Sequence, residues 1–101
     1  MTQTDTLDEL DGQPHASVFP GTEPKTIRLT LDEGESVPEH DHPDREIVFY
    51  VLEGEIDLQL GDDSYTLSSD DIAQFDGDQQ ISPTANRAST ALIVLAPRAD
   101  E

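Results

Sequence analysis

Apolar residues recur along the chain at a spacing of two, in short runs divided by glycine, proline and aspartate. Ile27, Leu29 and Leu31 alternate with Thr26, Arg28 and Thr30, which predicts a strand with one buried and one wet face. Residues 47–52 are apolar without a break, the pattern of a strand covered on both faces. Glu53, Gly54 and Glu55 then read as a tight hairpin, with glycine supplying the positive φ such turns need. The partner strand sets Ile56, Leu58 and Leu60 against Asp57 and Gln59. Gly61, Asp62 and Asp63 make the next turn, followed by Tyr65 and Leu67 at the same spacing. After the turn of Ser68, Ser69, Asp70 and Asp71 comes a short strand from Ile72 to Phe75. Asp76, Gly77 and Asp78 turn the chain again, and a weak extended piece around Ile81 ends at Pro83. Residues 90–96 form a last continuous apolar strand, stopped by Pro97. His15 to Phe19, closed by Pro20 and Gly21, reads as a first strand, with His15 a solvated residue.

About seven to nine short strands between such turns, with no helix, predict an all-β sandwich or barrel. The length of 101 residues supports one hydrophobic core. Residues 1–14 are polar and read as a flexible acidic arm with Leu7 and Leu10 as apolar anchors, 15–97 as the barrel, and 98–101 as a polar tail. Two strands apolar on both faces need a cover on each side. In so small a domain, a second copy is the expected cover, so a homodimer is predicted.

Charge narrows the setting. The chain has 23 acidic residues against five basic ones, a formal net charge of -18. Such a charge opposes compaction in dilute salt, whereas in about 1 M salt the screening length is roughly 3 Å and the penalty fades. The acids are spread along the chain and not gathered in a block. That points to the cytoplasm of a halophilic organism with a salt-rich interior, in preference to a mimic of nucleic acid. The few basic residues cannot assemble a basic face, so nucleic acid is not an expected partner. No apolar run reaches membrane-spanning length, and Met1 to Leu7 lacks the positive and apolar regions of a signal peptide. The absence of cysteine excludes disulfides, thiolate chemistry and a zinc ribbon.

Candidate chemistry concentrates in residues 34–54. His40 and His42 lie two apart between Pro38 and Pro43, which forbid a helix, so both imidazoles project to one side of an extended chain. Imidazole is the commonest protein ligand for a transition metal. Glu46 is near enough to add a carboxylate and give a two-histidine, one-carboxylate donor set. Glu39, Asp41 and Asp44 are candidates to orient the rings. No nucleophile stands in a recognisable activated setting. Tyr50 and Tyr65 read as core or pocket lining, and Phe49 and Phe75 as core.

These residues resemble the first motif of the small single-domain cupins: glycine, five residues, His-x-His, three or four residues, glutamate, six residues, glycine. Gly34, His40, His42, Glu46 and Gly54 fit it except that seven residues separate Glu46 from Gly54. Either Asp44, Arg45 and Glu46 carry the extra residue as a bulge, or Ile47 takes the glutamate's place. The family's second motif is degraded between residues 70 and 86. Its histidine falls on Ile81, with Gln80 beside it, and no histidine follows residue 42. The resemblance implies a cupin double-stranded β-helix, a jelly-roll barrel of two antiparallel sheets, often dimerised through a sheet face. It also implies a divalent transition metal, among iron, manganese, nickel, zinc and copper, with His40, His42, Glu46 and Gln80 as its expected ligands.

The function expected on these grounds is a small barrel protein that binds such a metal through a partly degenerate site and binds or senses a small molecule. Two alternatives stand beside it: a metal-dependent dioxygenase or isomerase of a small organic acid or sugar, and a metal-free dimeric interaction module. Fold does not choose among them.

Overall fold

The computed structural model describes residues 2–98; Met1 of the expected arm and residues 99–101 of the expected tail lie outside the described residues. The strands are β1 (His15–Val18), β2 (Lys25–Leu31), β3 (Arg45–Leu60), β4 (Asp63–Ser68), β5 (Ile72–Asp76) and β6 (Ile81–Pro97). A short 3-10 turn, Leu7–Glu9, precedes them. Among the described residues, no helix is long and apolar enough to cross a membrane.

The strands pair in the order β1-β2-β6-β3-β4, with β5 also on β3. The first half of β3 sets Ile47 opposite Phe75 of β5 and Leu95 of β6. Its second half sets Leu58 opposite Tyr65 of β4 and Pro83 of β6. Between Val51 and Ile56 the β3–β6 register shifts, and both long strands bend there. One hydrogen-bonded sheet thereby folds over into two antiparallel layers, a double-stranded β-helix. One layer holds β1, β2, the second half of β6, the first half of β3, and β5. The other holds β4 with the remaining halves of β3 and β6.

The bend corrects the predicted division into short strands. Residues 45–60 are one strand with no hairpin at Gly54, and residues 81–97 are another, with Pro83 inside it. Gly54 does have a positive φ, 95°, but it needs it for a bulge. A Cβ there would overlap Ser89 of β6. Ser89 is buried, accepts the Glu55 N–H at 2.9 Å and donates to the Arg87 carbonyl at 2.7 Å. A bulge and a turn ask the same of glycine, which is why the sequence pattern suggests either.

The core lies between the layers. Leu29, Ile47, Phe49, Val51 and Leu95 meet Ile56 and Leu58 there, all fully buried, and each such side chain contributes roughly 1.5–3 kcal/mol. On the outer face of β2, the buried Arg28 donates to the carbonyls of Leu7, Leu10 and Gly12 at 2.6, 3.1 and 2.8 Å. These bonds tie the N-terminal segment to the sheet.

Candidate functional site

Residues 34–42 run along the free edge of β6 in the second layer. Ala85 donates to Glu35 at 2.9 Å, and Val37 donates to the Pro83 carbonyl at 3.0 Å. His40 and Ile81 exchange both backbone bonds, at 3.1 and 2.7 Å. Pro38 is tolerated because an edge segment has one side unpaired. His42 then donates to Gly77 at 2.8 Å. Gly77 approaches so closely that a Cβ on it would overlap the His42 carbonyl and come within 3.1 Å of the His42 Cβ. Backbone pairing thus fixes both histidines, whose rings stand 4.9 Å apart and nearly perpendicular, at 87°.

Both rings line a cavity of about 390 Å³ between the layers, near the small end of the roughly 300–1,000 Å³ range of small-molecule sites. Its walls include Leu29, Ile47, Phe49, Phe75, Ile81 and Leu95. Its polar lining consists of His15, Glu39, His40 and His42.

The His40 Nδ1 lies 2.9 Å from the Pro38 carbonyl. A carbonyl only accepts, so Nδ1 carries a proton, and in the neutral ring the lone pair that can ligate a metal is then on Nε2. Partial burial, and then the neighbouring His40, lower the pKa of His42, favouring its neutral form. Two imidazoles presented to one cavity supply part of a metal's coordination sphere. Among the described residues, no group of three or more His, Cys, Asp or Glu is placed to hold an ion. Two imidazoles alone do not make a closed structural site.

Glu46 and Gln80 do not join the histidines. Ile47, Phe49 and Val51 point into the barrel, so strand alternation turns Glu46 to the other face. There it acts, with Asp76 and Asp78, on the Arg98 guanidinium. Asp44, in the turn before β3, takes a positive φ of 64° and donates to Asp78 at 3.0 Å. From Arg45 to Val51 β3 pairs without a register shift, so no bulge intervenes and Ile47, not Glu46, occupies the inward place. Gln80 is exposed, and its backbone carbonyl accepts the Gly61 N–H at 2.9 Å, while the neighbouring Ile81 faces the cavity.

The sequence alone favours a solvated role for His15. Although exposed, it lines the cavity because β1 sets it opposite Leu29, and directly paired residues share a face. Its pKa is lowered by partial burial and then by His40. The inward parity of Leu29 was legible; the β1–β2 register that transfers it to His15 was not.

The Cupin_2 family, described as a cupin domain, matches residues 27–96. No curated protein matches the chain. Among solved structures, an uncharacterized conserved protein with a double-stranded β-helix domain from Klebsiella pneumoniae superposes with a TM-score of 0.83 at 18% identity, covering 96% of this chain and 91% of that one. The Cupin_2 domain of an XRE family transcriptional regulator from Enterobacter cloacae gives 0.75 at 18% identity, covering 84% and 96%. A predicted oxalate decarboxylase from Thermotoga maritima gives 0.65 at 24% identity, covering 72% and 65%. At such identities the likeness is one of fold.

Proposed function

The chain belongs to the cupin family, and from that premise we propose that it binds or senses a small, largely apolar molecule in its barrel cavity. In this reading His40 and His42 hold a divalent transition metal, iron, manganese, nickel or zinc, at the molecule's polar end. The observation that carries it is the union of apolar walls with two imidazoles in the same cavity, one of them bonded through Nδ1 to the Pro38 carbonyl. Bound there, the ion supplies a Lewis-acid contact to an oxygen or nitrogen of the molecule.

The walls also select. Leu29, Ile47, Phe49, Phe75 and Leu95 offer no hydrogen-bonding side chain. Each sugar hydroxyl left unpaired against them costs about 1–3 kcal/mol. That favours an apolar ligand over a sugar. Glu46, expected beside the histidines, lies on the opposite face, which supports binding over turnover.

The same proposal places the protein in a salt-rich cytoplasm, as a homodimer. The charge of -18 supports the first. The exposed Leu52 and Ile72, beside half-buried Val48 and Leu92, support the second. Neither nucleic acid nor membrane is a partner in this reading.

The test is elemental analysis of protein purified in molar salt without chelator or histidine tag, beside the His40→Ala/His42→Ala variant. Near one equivalent of a transition metal, lost in the variant, is expected. Protein that stays metal-free after incubation with iron, manganese, nickel and zinc would overturn the metal's part in the proposal.

A further inference from the structure

Phe75 lines two cavities. It forms part of the wall around the cavity of His40 and His42 and, among the described residues, it is the one shared with a second cavity of about 260 Å³. That second cavity lies between β4 and β5, each of which pairs with β3 alone and so leaves an edge at the seam between the layers. Beyond Phe75 the buried Leu60 and half-buried Ala73 continue the apolar lining, and the exposed Asp63, Tyr65 and Gln74 border it.

Strand pairing turns Phe75 inward. It stands opposite Ile47, which is buried and lines the first cavity, and directly opposed residues share a face. Only 8% of Phe75 is exposed, so it is buried where the two cavities adjoin. A packed aromatic ring is bulky and stiff, and a close-packed interior yields little to compression. An apolar chain lying in the first cavity cannot enter the second past such a ring. We propose that Phe75 is a specificity-determining residue that limits the size of the ligand, admitting compact apolar molecules and excluding longer ones by closing the first cavity off from the second. The inference rests on the first cavity's being the ligand site, as proposed above.

The experiment is calorimetric titration of the protein in molar salt with the straight-chain alcohols from 1-butanol to 1-decanol. Wild type is compared with Phe75→Leu, which shortens the side chain, and Phe75→Met, which keeps most of its bulk but can swing aside. Leu60→Ala, which loosens the second cavity without touching the wall, is the control. Wild-type affinity is expected to rise by about fourfold per methylene and to level off within the series. In both Phe75 variants the rise should continue through longer chains, so that 1-decanol binds about tenfold more tightly than to wild type, with 1-butanol unchanged. Leu60→Ala should level off where wild type does. A break at the same chain length in wild type and both Phe75 variants would overturn the role of Phe75 and leave the ligand site standing. An equal shift in Leu60→Ala would also overturn it, since general loosening of the core would then suffice. Failure of every alcohol to bind the wild type would overturn both the site and the role of Phe75.

Discussion

His40 and Ile81 exchange both of their backbone hydrogen bonds across the barrel edge, at 3.1 and 2.7 Å, and both side chains face the cavity. A directly bonded antiparallel pair presents its side chains to the same face at neighbouring positions. The residue best placed to extend the histidine pair is therefore an isoleucine. Replacing it, as Ile81→His, sets a third imidazole beside His40. Zinc affinity is expected to rise by at least about tenfold, or ~1.4 kcal/mol, read by calorimetric titration of wild type and variant. Burying a polar ring among Val37 and Leu60 neighbours should lower the stability of the metal-free variant, so zinc should also raise its melting temperature more than it raises that of the wild type.

Gly77 makes the second prediction. It was legible only as a turn residue, but its φ is not among the positive ones; its constraint is the His42 backbone lying against it. Gly77→Ala must displace that backbone and should cost about 1–3 kcal/mol, as overpacking does. Gly54→Ala clashes with Ser89 instead, away from the site. Both variants should lose stability to denaturant, yet only Gly77→Ala should weaken zinc binding. Equal zinc affinity in the two would remove Gly77 from the positioning of His42.

The third concerns acid. Asp78 accepts the Asp44 N–H and pairs with Arg98 at 2.6 Å, and these bonds hold its pKa below the ordinary carboxylate value. Because the folded state favours the charged form, the contribution is full above the unfolded-state pKa and is lost as pH falls through the lower, folded one. The stability difference between wild type and Asp78→Asn should be constant near neutrality and shrink as pH falls through and below the ordinary carboxylate range. Denaturant melts at each pH read it; a difference that grows on acidification would reverse the sign.

Salt supplies the fourth. With 23 acidic residues against five basic ones, repulsion is widespread, and the ion pairs Arg45–Glu23, Arg87–Glu55 and Arg98–Asp78 relieve it only locally. Raising potassium chloride from about 0.1 M to about 2 M shortens the screening length from about 10 Å to below 3 Å. The melting temperature should rise. A fall would show that the surface carboxylates do not limit stability.

Strand parity made much of the fold legible: Leu29, Ile56 and Leu58 all face inward as their alternation predicts. Register was not legible, and every misplacement follows from it. Gly54 marks a bulge because Ser89 from a distant strand passes against it. Ile47 takes the inward place expected of Glu46 because β3 pairs with β6 in unbroken register from Arg45 to Val51. His15 joins the cavity through its pairing with Leu29. Each of these depends on which strand lies opposite, a relation that local periodicity does not encode.

The most direct measurement is the proton NMR spectrum of the three histidine rings, followed as zinc is added to metal-free protein in molar salt. The account predicts that the His40 and His42 ring resonances move together and saturate at one equivalent, with the His40 Nδ1 proton retained because coordination is through Nε2. Rings of His40 and His42 that stay unmoved while zinc binds elsewhere, or does not bind, would contradict it.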